Sequence, residues 1–498
     1  MPLPIVVVGA GIGGLAAAVE LARSGENVVL VEARSEVGGK ARAVEVAGRS
    51  IDVGPTVLTM RWVFDELFRR SLDDVLELRP LDRIARHSFV DGSMLDLYTD
   101  VARSADAVGA FAGPREAANY LRFADYSRRI AETVEKPFLR SPRPSLTSLL
   151  VGAGRVGLGA LRQIDSHRTM WNALGSFFED PRLRALFARY ATYVGSSPLE
   201  AAATFNLIAH VEREGVVAID GGISRLASAL AGLARSLGVT IHLGTRASVR
   251  RGPDGSVSAV ELSRADASRE VVPARAVILN ADVATIAAGT FGAEVAKSVD
   301  APPATRRSLS AMTWAIAGSA EGLELDHHNV FFSADYERET RMLWEARVLP
   351  DDPTVYLCAP DRERFFLIAN APARDFRRDD PEIAECERRV FSRLAKAGLN
   401  LRSKASRRMT PQDFAELAPG TAGAIYGEAS HGAFASLNRP GSQTRIRGLY
   451  VASGSVHPGP GVPMAALSGR LAAEAARQDL ASTSRSSRAG IVGSIWMR

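Results

Sequence analysis

Three glycines near the start of the chain have the spacing of a nucleotide-binding turn. Gly9, Gly11 and Gly14 follow the apolar run 5–8, and "LAAAVELARSG" comes next with the composition of a helix. In such a turn the first glycine permits a tight bend, the second lets the backbone approach a pyrophosphate, and the third lets the helix pack closely on the strand. The amides and the dipole of the helix N-terminus face the phosphates. The spacing therefore predicts a dinucleotide site.

An acidic residue extends this pattern. The segment "NVVLVEAR" has the character of a second strand and ends near Glu32, 18 residues beyond Gly14. A carboxylate at that place accepts hydrogen bonds from ribose hydroxyls and argues against a 2′-phosphate. Strand, turn, helix, strand and acid together are far more specific than the glycines alone. At this point NAD and FAD both remain open.

Two further segments belong at the same edge of the expected sheet. "SEVGGKAR" directly follows the second strand, and its paired glycines with basic neighbours suit a second approach to a pyrophosphate. "IDVGPTVLT" then places a turn at 54–56 after a short strand. Both segments favour an extended dinucleotide.

The segment 448–476 is a strand, a loop and a helix start rather than a membrane span. Its first 22 residues contain no Asp, Glu, Lys or Arg. A membrane helix needs about 20 apolar residues without interruption, whereas Pro458 and Pro460 cannot lie in a helix interior here. Pro463 stands where a first helical turn tolerates proline. This segment is a second place to receive an anionic or electron-rich ligand.

Composition excludes several classes of protein. The chain has 498 residues, 46% hydrophobic and 23% charged, which is ordinary for a soluble protein of roughly three lobes of about 150 residues. The net charge is only +5 without a basic stripe, so no nucleic-acid partner is expected. Cys358 and Cys386 form no CxxC pair and have no histidine at ligand spacing, so no metal site is expected.

A second glycine pattern at 152–157 lacks the flanking strands of a nucleotide site. The apolar stretch 148–161 fits a buried helix or a lipid contact.

These segments, with "GISRLASALAGLARSLGVTIHLGTRASV" and "AVILNAD", occur in an order that resembles the phytoene desaturase-type carotenoid desaturases. That family belongs to the amine-oxidase-like flavoproteins, and the resemblance runs from residue 4 to about 476. It implies an α/β fold in which a Rossmann-like FAD-binding domain is interleaved with an α+β substrate domain. It also implies that the C-terminal loop and helix close over a non-covalent flavin.

The resemblance implies a domain layout and a set of cofactor contacts. The FAD-binding domain is expected at 1–95, 215–285 and 440–480, and the substrate domain at 96–214 and 286–439. The tail 481–498 is expected to be flexible. No catalytic base is assigned, because the sequence shows no Ser-His-Asp set and no paired carboxylates. The expected FAD contacts are Gly9, Gly11, Gly14, Glu32, Gly39, Lys40, Arg42, Gly54, Pro55, Thr56, Ala247, Gly454, Pro463 and Met464.

Segments outside the flavin motifs refine the expected activity. The stretches 53–68, 210–222 and 327–362 resemble the hydroxyneurosporene dehydrogenase branch of the family. That branch implies desaturation between carbons 3 and 4 of an acyclic carotenoid with a terminal 1-hydroxyl or 1-methoxyl group. A phytoene desaturase is the alternative, and a prenyl-binding protein of the GDP-dissociation-inhibitor type is the alternative without redox activity.

A carotenoid substrate needs a long apolar tunnel. Segments 312–318 and 329–336 are candidates for its wall, and 59–62 for the group that meets the terminal oxygen. Because the substrate is lipid-soluble and no span is predicted, the protein is expected to be cytoplasmic and bound to the membrane surface. Oxygen or a membrane quinone is the expected electron acceptor.

Overall fold

The computed structural model describes residues 3–139, 164–377, 379–433, 435 and 438–495, apart from the side chains of 136, 137 and 483–495. The glycine pattern at 152–157 and the apolar stretch 148–161 lie outside these residues.

The described residues form both strands and helices, and most strands lie within 5–98, 216–279 and 310–409. In chain order the strands are β1 Ile5–Val8, β2 Val28–Val31, β3 Ala43–Val46, β4 Arg49–Asp52, β5 Leu78–Leu81, β6 Arg83–Ser88, β7 Met94–Tyr98, β8 Val216–Ile219, β9 Thr240–His242, β10 Thr245–Arg251, β11 Val257–Arg264, β12 Arg269–Pro273, β13 Ala276–Leu279, β14 Ser310–Gly322, β15 His328–Phe331, β16 Val355–Cys358, β17 Arg364–Ala371, β18 Leu399–Met409 and β19 Leu449–Val451. The α-helices are α1 Ile12–Arg23, α2 Trp62–Phe68, α3 Val101–Ala112, α4 Pro114–Val134, α5 Met170–Gly175, α6 Pro181–Ala188, α7 Leu207–Arg213, α8 Ser224–Ser236, α9 Val283–Ala287, α10 Ala293–Ala296, α11 Tyr336–Arg341, α12 Pro381–Lys396, α13 Pro411–Leu417 and α14 Val462–Ile495. Shorter turns of helix lie at Leu72–Asp74, Glu135–Leu139, Arg189–Val194, Ala203–Asn206, Ala304–Arg306 and Met342–Ala346.

A five-stranded parallel sheet in the order β19-β13-β1-β2-β9 carries the glycine turn. Strand β1 lies at its centre and is completely buried, because a parallel sheet is covered on both faces. Val7 is in register with Leu30 on one side and with Ile278 on the other. Helices α1, α8 and α14 contribute to the apolar core on one face of this sheet. The predicted strand–turn–helix–strand order and the returning strand at 276–282 are both present.

The second large sheet has seven strands in the order β18-β14-β17-β16-β15-β6-β7. Strands β6 and β7 come from residues 83–98 and join it through a parallel pair between β6 and β15. The expected boundary at residue 95 falls inside β7, and the expected layout places β6 and its partner β15 in different domains; the layout stays a prediction. No local pattern marks this boundary, because the partner strand β15 comes more than 230 residues later.

The C-terminal helix α14 packs against α1 and continues through Ile495. A Cβ added at Gly469 would lie 2.0 Å from the carbonyl oxygen of Gly13, so the two helices approach each other closely at this point. The segment from 481 to 495, for which a flexible tail is expected, is the last part of this helix, and its flexibility stays a prediction.

Among the helices in the described part of the chain, none is long and apolar enough to cross a membrane.

Candidate active site

The glycine turn lies between the end of β1 and the start of α1. Gly9 has a φ of +101°, which favours glycine. A Cβ at Gly14 would lie 2.0 Å from the Gly9 carbonyl oxygen, so the helix can approach the strand only without a side chain there. A Cβ at Gly11 would meet Oδ1 of Asn280 at 2.6 Å, so this glycine also makes room for a side chain that follows β13. Within the described structure, no side chain caps the N-terminus of α1.

Glu32 is held beside this turn by two backbone hydrogen bonds. Its Oε2 accepts from the amide of Ala10 at 2.7 Å, and its Oε1 accepts from the amide of Arg34 at 2.9 Å. Only 8% of the residue is exposed. The amide of Thr245 donates to the Glu32 carbonyl oxygen at 2.8 Å, which brings the start of β10, and with it Ala247, to the same end of the site. These contacts fix the carboxylate at the end of β2.

The segments around Gly39 and Gly54 pack on the other side of the glycine turn. The amide of Gly38 donates to the Ala10 carbonyl oxygen at 2.8 Å, and Gly38 forms an isolated bridge with Gly11. A Cβ at Gly54 would lie 1.8 Å from the Lys40 carbonyl oxygen. The turn at 54–56 can therefore pack against the Lys40 backbone only because residue 54 is glycine. Three separate stretches of sequence thus converge on one place.

This side of the site is rich in buried positive charge. Lys40 lines a cavity; its Nζ donates to the Ile425 carbonyl oxygen, and desolvation by the surrounding protein lowers its pKa. Burial also lowers the pKa of Arg42 to about 10, and the Nε of Arg42 is buried without a hydrogen-bond partner among the described residues. Asp282 lies near Lys40, and burial raises the pKa of its carboxyl group. Lys40 and Arg42 are the donors of this set, and their positive charge fits an anionic ligand.

The C-terminal segment completes this wall. Nδ2 of Asn280 donates to the Ala452 carbonyl oxygen at 2.6 Å, which ties the end of β13 to the residue after β19. A loop follows, and α14 then begins with Pro463 as its second residue. A Cβ at Gly13 would lie 2.8 Å from the Ala465 carbonyl oxygen, so the first turns of α14 and α1 are neighbours. The predicted order of strand, loop and helix start is present.

One cavity of about 1530 Å³ joins all of these elements. Ligand pockets usually measure about 300–1,000 Å³, so this cavity has room for a dinucleotide together with a second long molecule. Of the predicted contacts, Gly14 alone is absent from the lining, because it packs against Gly9. The predicted residues that line the cavity are Gly9, Gly11, Glu32, Gly39, Lys40, Arg42, Gly54, Pro55, Thr56, Ala247, Gly454, Pro463 and Met464.

The cavity extends beyond the glycine turn into a second region. Its walls there are largely aromatic and aliphatic, with contributions from β17, α2 and the helical turns around 138 and 205. Examples are Trp62, Phe138, Phe205, Ile208, Phe366 and Ile368. An apolar wall of this kind suits a hydrocarbon ligand.

The predicted tunnel walls are mostly wrong. Segments 312–318 and 329–336 are described throughout, and Thr313 is the one residue from either that lines the cavity. Met312 and Trp314 are fully buried in a core cluster that also contains Phe331. Strand β14 has partners on both sides and packing on both faces, so its apolar residues build the core instead. The segment 59–62 does reach the cavity, through Thr59, Met60 and Trp62.

A polar cluster interrupts the apolar wall. Glu212 is 4% exposed, and its two oxygens accept hydrogen bonds from Oη of Tyr190 at 2.6 Å and Oη of Tyr193 at 2.7 Å. Burial raises the pKa of the Glu212 carboxyl group. The Arg189 guanidinium lies 5.8 Å from the centre of the Tyr193 ring and 5.5 Å from that of Tyr356. We call these residues, 189, 190, 193, 212 and 356, the polar cluster.

The polar cluster is connected to the turn at 54–56. Oη of Tyr356 is 2.6 Å from Oγ1 of Thr56 and 2.6 Å from Nδ1 of His328. A second cavity of about 20 Å³ lies against the same cluster, and His87 and His328 also line it. The cluster therefore stands between the large cavity and a second layer of buried polar groups.

The sequence analysis found no histidine at metal-ligand spacing from a cysteine, but the fold brings such residues together. His327, His328 and Cys358 bring three potential metal-ligand atoms within 4.8 Å of one another, because His328 and Cys358 are paired across β15 and β16. Burial lowers the pKa of His327 to about 4 and raises that of Cys358 to about 12. Arg79 donates to Nδ1 of His327 at 3.1 Å, so its positive charge opposes a cation there.

Sequence reasoning missed several residues of the site. Asn280 and Asp282 follow β13, and the rule that ligands bind at the carboxyl ends of parallel strands would have indicated them. Arg439 lines the cavity and donates to backbone carbonyl oxygens at 426, 428 and 454, which no spacing signal reveals. The polar cluster likewise depends on contacts between distant segments.

The fold and the cavity define a dinucleotide-binding α/β protein with a second, apolar ligand space. The family model for flavin containing amine oxidoreductase matches residues 12–477, and the chain belongs to that family. This membership confirms the expected oxidoreductase class and the expected flavin cofactor, FAD.

Three comparisons illustrate the relationship. The chain is 43% identical to a hydroxyneurosporene desaturase of Rubrivivax gelatinosus, over 99% of this chain and 97% of the relative. It is 43% identical to a hydroxyneurosporene desaturase of Cereibacter sphaeroides, over 97% of this chain and 99% of the relative. A solved structure of a putrescine oxidase variant superposes with a TM-score of 0.61 at 14% identity, covering 96% of this chain and 99% of the other. The last comparison shows the fold alone.

Proposed function

We propose that this protein is an FAD-dependent desaturase that introduces the C3–C4 double bond into acyclic 1-hydroxy or 1-methoxy carotenoids. The observation that carries the proposal is the continuity of one cavity, from the glycine turn and Glu32 to the apolar walls of the substrate lobe. The two hydroxyneurosporene desaturases support the substrate class, since they align over nearly their whole lengths.

In this proposal the nucleotide loops hold the cofactor. The amides at the start of α1 bind the pyrophosphate, Glu32 accepts from the ribose hydroxyls, and the β10 backbone at Ala247 lies by the adenine. Lys40, Arg42 and the turn at 54–56, with the segment 454–464, surround the flavin end. The buried Nε of Arg42 fits this assignment, because a donor left without a partner in a cavity wall suits an electron-rich ligand.

When bound, FAD would supply an acceptor for the hydride that leaves the substrate together with a proton, and the residues of the cavity would supply position and dryness. The aromatic and aliphatic walls exclude water from the hydrocarbon, which carries no charge for the protein to hold. A carotenoid that enters this space lies with one end beside the turn at 54–56.

The lipid solubility of such a substrate supports a peripheral position at the cytoplasmic face of a membrane, with oxygen or a membrane quinone as the electron acceptor. Flotation of the FAD-loaded protein with liposomes tests this position. Recovery of all the protein in the lipid-free fraction, together with full activity in the absence of lipid or detergent, would refute it.

The activity is tested with FAD-loaded protein and liposomes that contain 1-hydroxyneurosporene, neurosporene or phytoene. We expect conversion of the hydroxylated substrate to a product with one more conjugated double bond, seen as a red-shifted absorption spectrum. Efficient desaturation of phytoene without activity on the hydroxylated substrate would favour a phytoene desaturase. Carotenoid or prenyl binding by a protein that never takes up FAD would favour the GDP-dissociation-inhibitor type.

A further inference from the structure

We propose that Arg189 and Glu212 of the polar cluster bind the terminal oxygen of the carotenoid and so set which carbons lie at the reaction position. The proposal rests on the proposed function, and it names the residues that choose the substrate. It replaces the sequence-based candidate at 59–62.

Covalent geometry restricts where the oxygen-binding group can lie. Carbon 1, which bears the oxygen, is two bonds from carbon 3, a distance of about 2.5 Å with ordinary C–C bond lengths. The group that binds this oxygen therefore has to stand beside the reaction position rather than at the far end of the tunnel. Most of the substrate, by contrast, extends away through apolar space.

The polar cluster has this location. Tyr356 connects it to Thr56 through a hydroxyl–hydroxyl distance of 2.6 Å, and Thr56 belongs to the turn proposed to flank the flavin. Arg189 lies over the ring of the same tyrosine, with its guanidinium carbon 5.5 Å from the ring centre. Arg189, Glu212, Tyr356 and Thr56 all line the large cavity.

The cluster also has the right donors and acceptors. A buried tertiary hydroxyl group needs both a donor to its oxygen and an acceptor for its proton. Arg189 offers only donors, and among the described residues no carboxylate forms an ion pair with it. Glu212 offers only acceptors while ionised, and the two tyrosine hydroxyls on its oxygens leave lone pairs for a third donor. An arginine and a carboxylate on one patch of an otherwise apolar wall fit a hydroxyl group well.

The same chemistry separates the two expected substrate types. A methoxyl oxygen accepts hydrogen bonds but donates none, so Arg189 can bind either substrate whereas Glu212 can bind only the hydroxyl group as an acceptor. Thr59, which lies three residues before α2, is a weaker candidate because its hydroxyl is a single neutral group. A site built to bind a hydroxyl group strongly disfavours substrate analogues without that group.

The test compares Arg189→Met, Arg189→Lys, Glu212→Gln and Thr59→Val in the FAD-loaded full-length protein. The measured quantity is kcat/KM for 1-hydroxyneurosporene, its 1-methoxy analogue and neurosporene in liposomes of one composition. The exposed ion pair of Arg115 and Glu179 supplies matched controls, Arg115→Met and Glu179→Gln. FAD content and melting temperature are recorded for each variant.

For Arg189→Met we expect kcat/KM to fall about 10- to 100-fold for both oxygenated substrates, because a hydrogen bond to a charged group is lost. The value for neurosporene falls far less, so selectivity for the oxygenated substrates collapses. Arg189→Lys restores part of this selectivity, since lysine keeps a charged donor. Glu212→Gln lowers the value for the hydroxylated substrate relative to the methoxylated one. The surface variants keep wild-type selectivity.

The proposal is overturned if Arg189→Met and Arg189→Lys keep wild-type selectivity, if all three substrates lose the same factor, or if Thr59→Val alone abolishes selectivity. Should Arg189→Met fail to take up FAD, the lysine and glutamine variants decide the question by the same ratios. Failure of the proposed function looks different: the wild-type protein itself then converts no 1-oxygenated carotenoid.

Discussion

Replacement of Glu32 by alanine has two consequences that the structure separates. The first concerns the protein without cofactor: the buried amide of Ala10 loses its acceptor, which costs about 1–3 kcal/mol in the free energy of unfolding. The amide of Arg34 also loses its acceptor, but Arg34 is exposed and water can replace the carboxylate. The second concerns FAD, whose ribose hydroxyls lose their acceptor.

The second loss is also about 1–3 kcal/mol, which corresponds to a rise in the Kd for FAD of about 5- to 150-fold. Quenching of flavin fluorescence during titration of the apoprotein measures this Kd, and urea denaturation of the apoprotein measures the first effect. Glu36→Ala is the matched control, because Glu36 is an exposed acid on the same loop. It removes the same charge without touching the turn.

ADP distinguishes a ribose contact from general damage to the loop. ADP carries the same ribose as FAD, so its affinity should fall by a similar factor in Glu32→Ala. The 2′-deoxy form of ADP should bind wild-type protein more weakly than ADP, and this difference should vanish in the variant. An unchanged Kd for FAD, or a difference between ADP and its deoxy form that persists in Glu32→Ala, would remove Glu32 from the ribose site.

Three other predictions concern stability. Gly469→Ala places a Cβ 2.0 Å from the Gly13 carbonyl oxygen and should lower the free energy of unfolding by about 1–3 kcal/mol. Gly232→Ala lies in open space on an exposed helix surface and should raise the free energy of unfolding by about 0.5–1 kcal/mol. Equal effects of the two variants in urea denaturation would contradict this prediction. Burial raises the pKa of Glu339 from 4.5 to about 7, so its contribution to stability is complete below pH 4.5 and is lost as the pH rises through 7. The free energy of unfolding should therefore fall by about 3 kcal/mol from this group over that range, and the fall should be absent in Glu339→Gln. Asn280→Ala removes the hydrogen bond to the residue after β19 and should cost about 1 kcal/mol; a calorimetric melting temperature equal to that of the wild type would refute it.

The parts of the site that sequence could predict are those whose signals are local. Each of these signals lies within a short stretch of sequence: the glycine turn, Glu32, and the strand, loop and helix start at 448–464. Local backbone geometry determines which residue types can occur there. Gly14, for example, is required by an oxygen only five residues away. Such constraints repeat wherever the motif occurs, so they can be read without knowledge of the fold.

The parts that could not be predicted depend on contacts between distant segments. Arg189 and Tyr356 are 167 positions apart in the chain and meet only because β16 lies in the seven-stranded sheet. The prediction of the tunnel walls was wrong for a related reason, because the apolar sequence at 312–318 is the same whether its side chains face a ligand or a core. Strand pairing, and not hydropathy, decides between these two outcomes.

Because β1 is the central strand, its sheet cannot be completed until strands much later in the chain have been synthesised. Its neighbour β2 follows within about 20 residues, but β13 and β19 leave the ribosome far later, the last of them more than 400 residues after β2. At synthesis rates of about 5–20 residues per second, the second edge of β1 waits about 13–54 s for β13. The nascent chain therefore carries an open, apolar strand edge until β13 and then β19 have emerged, and this edge needs protection from other chains.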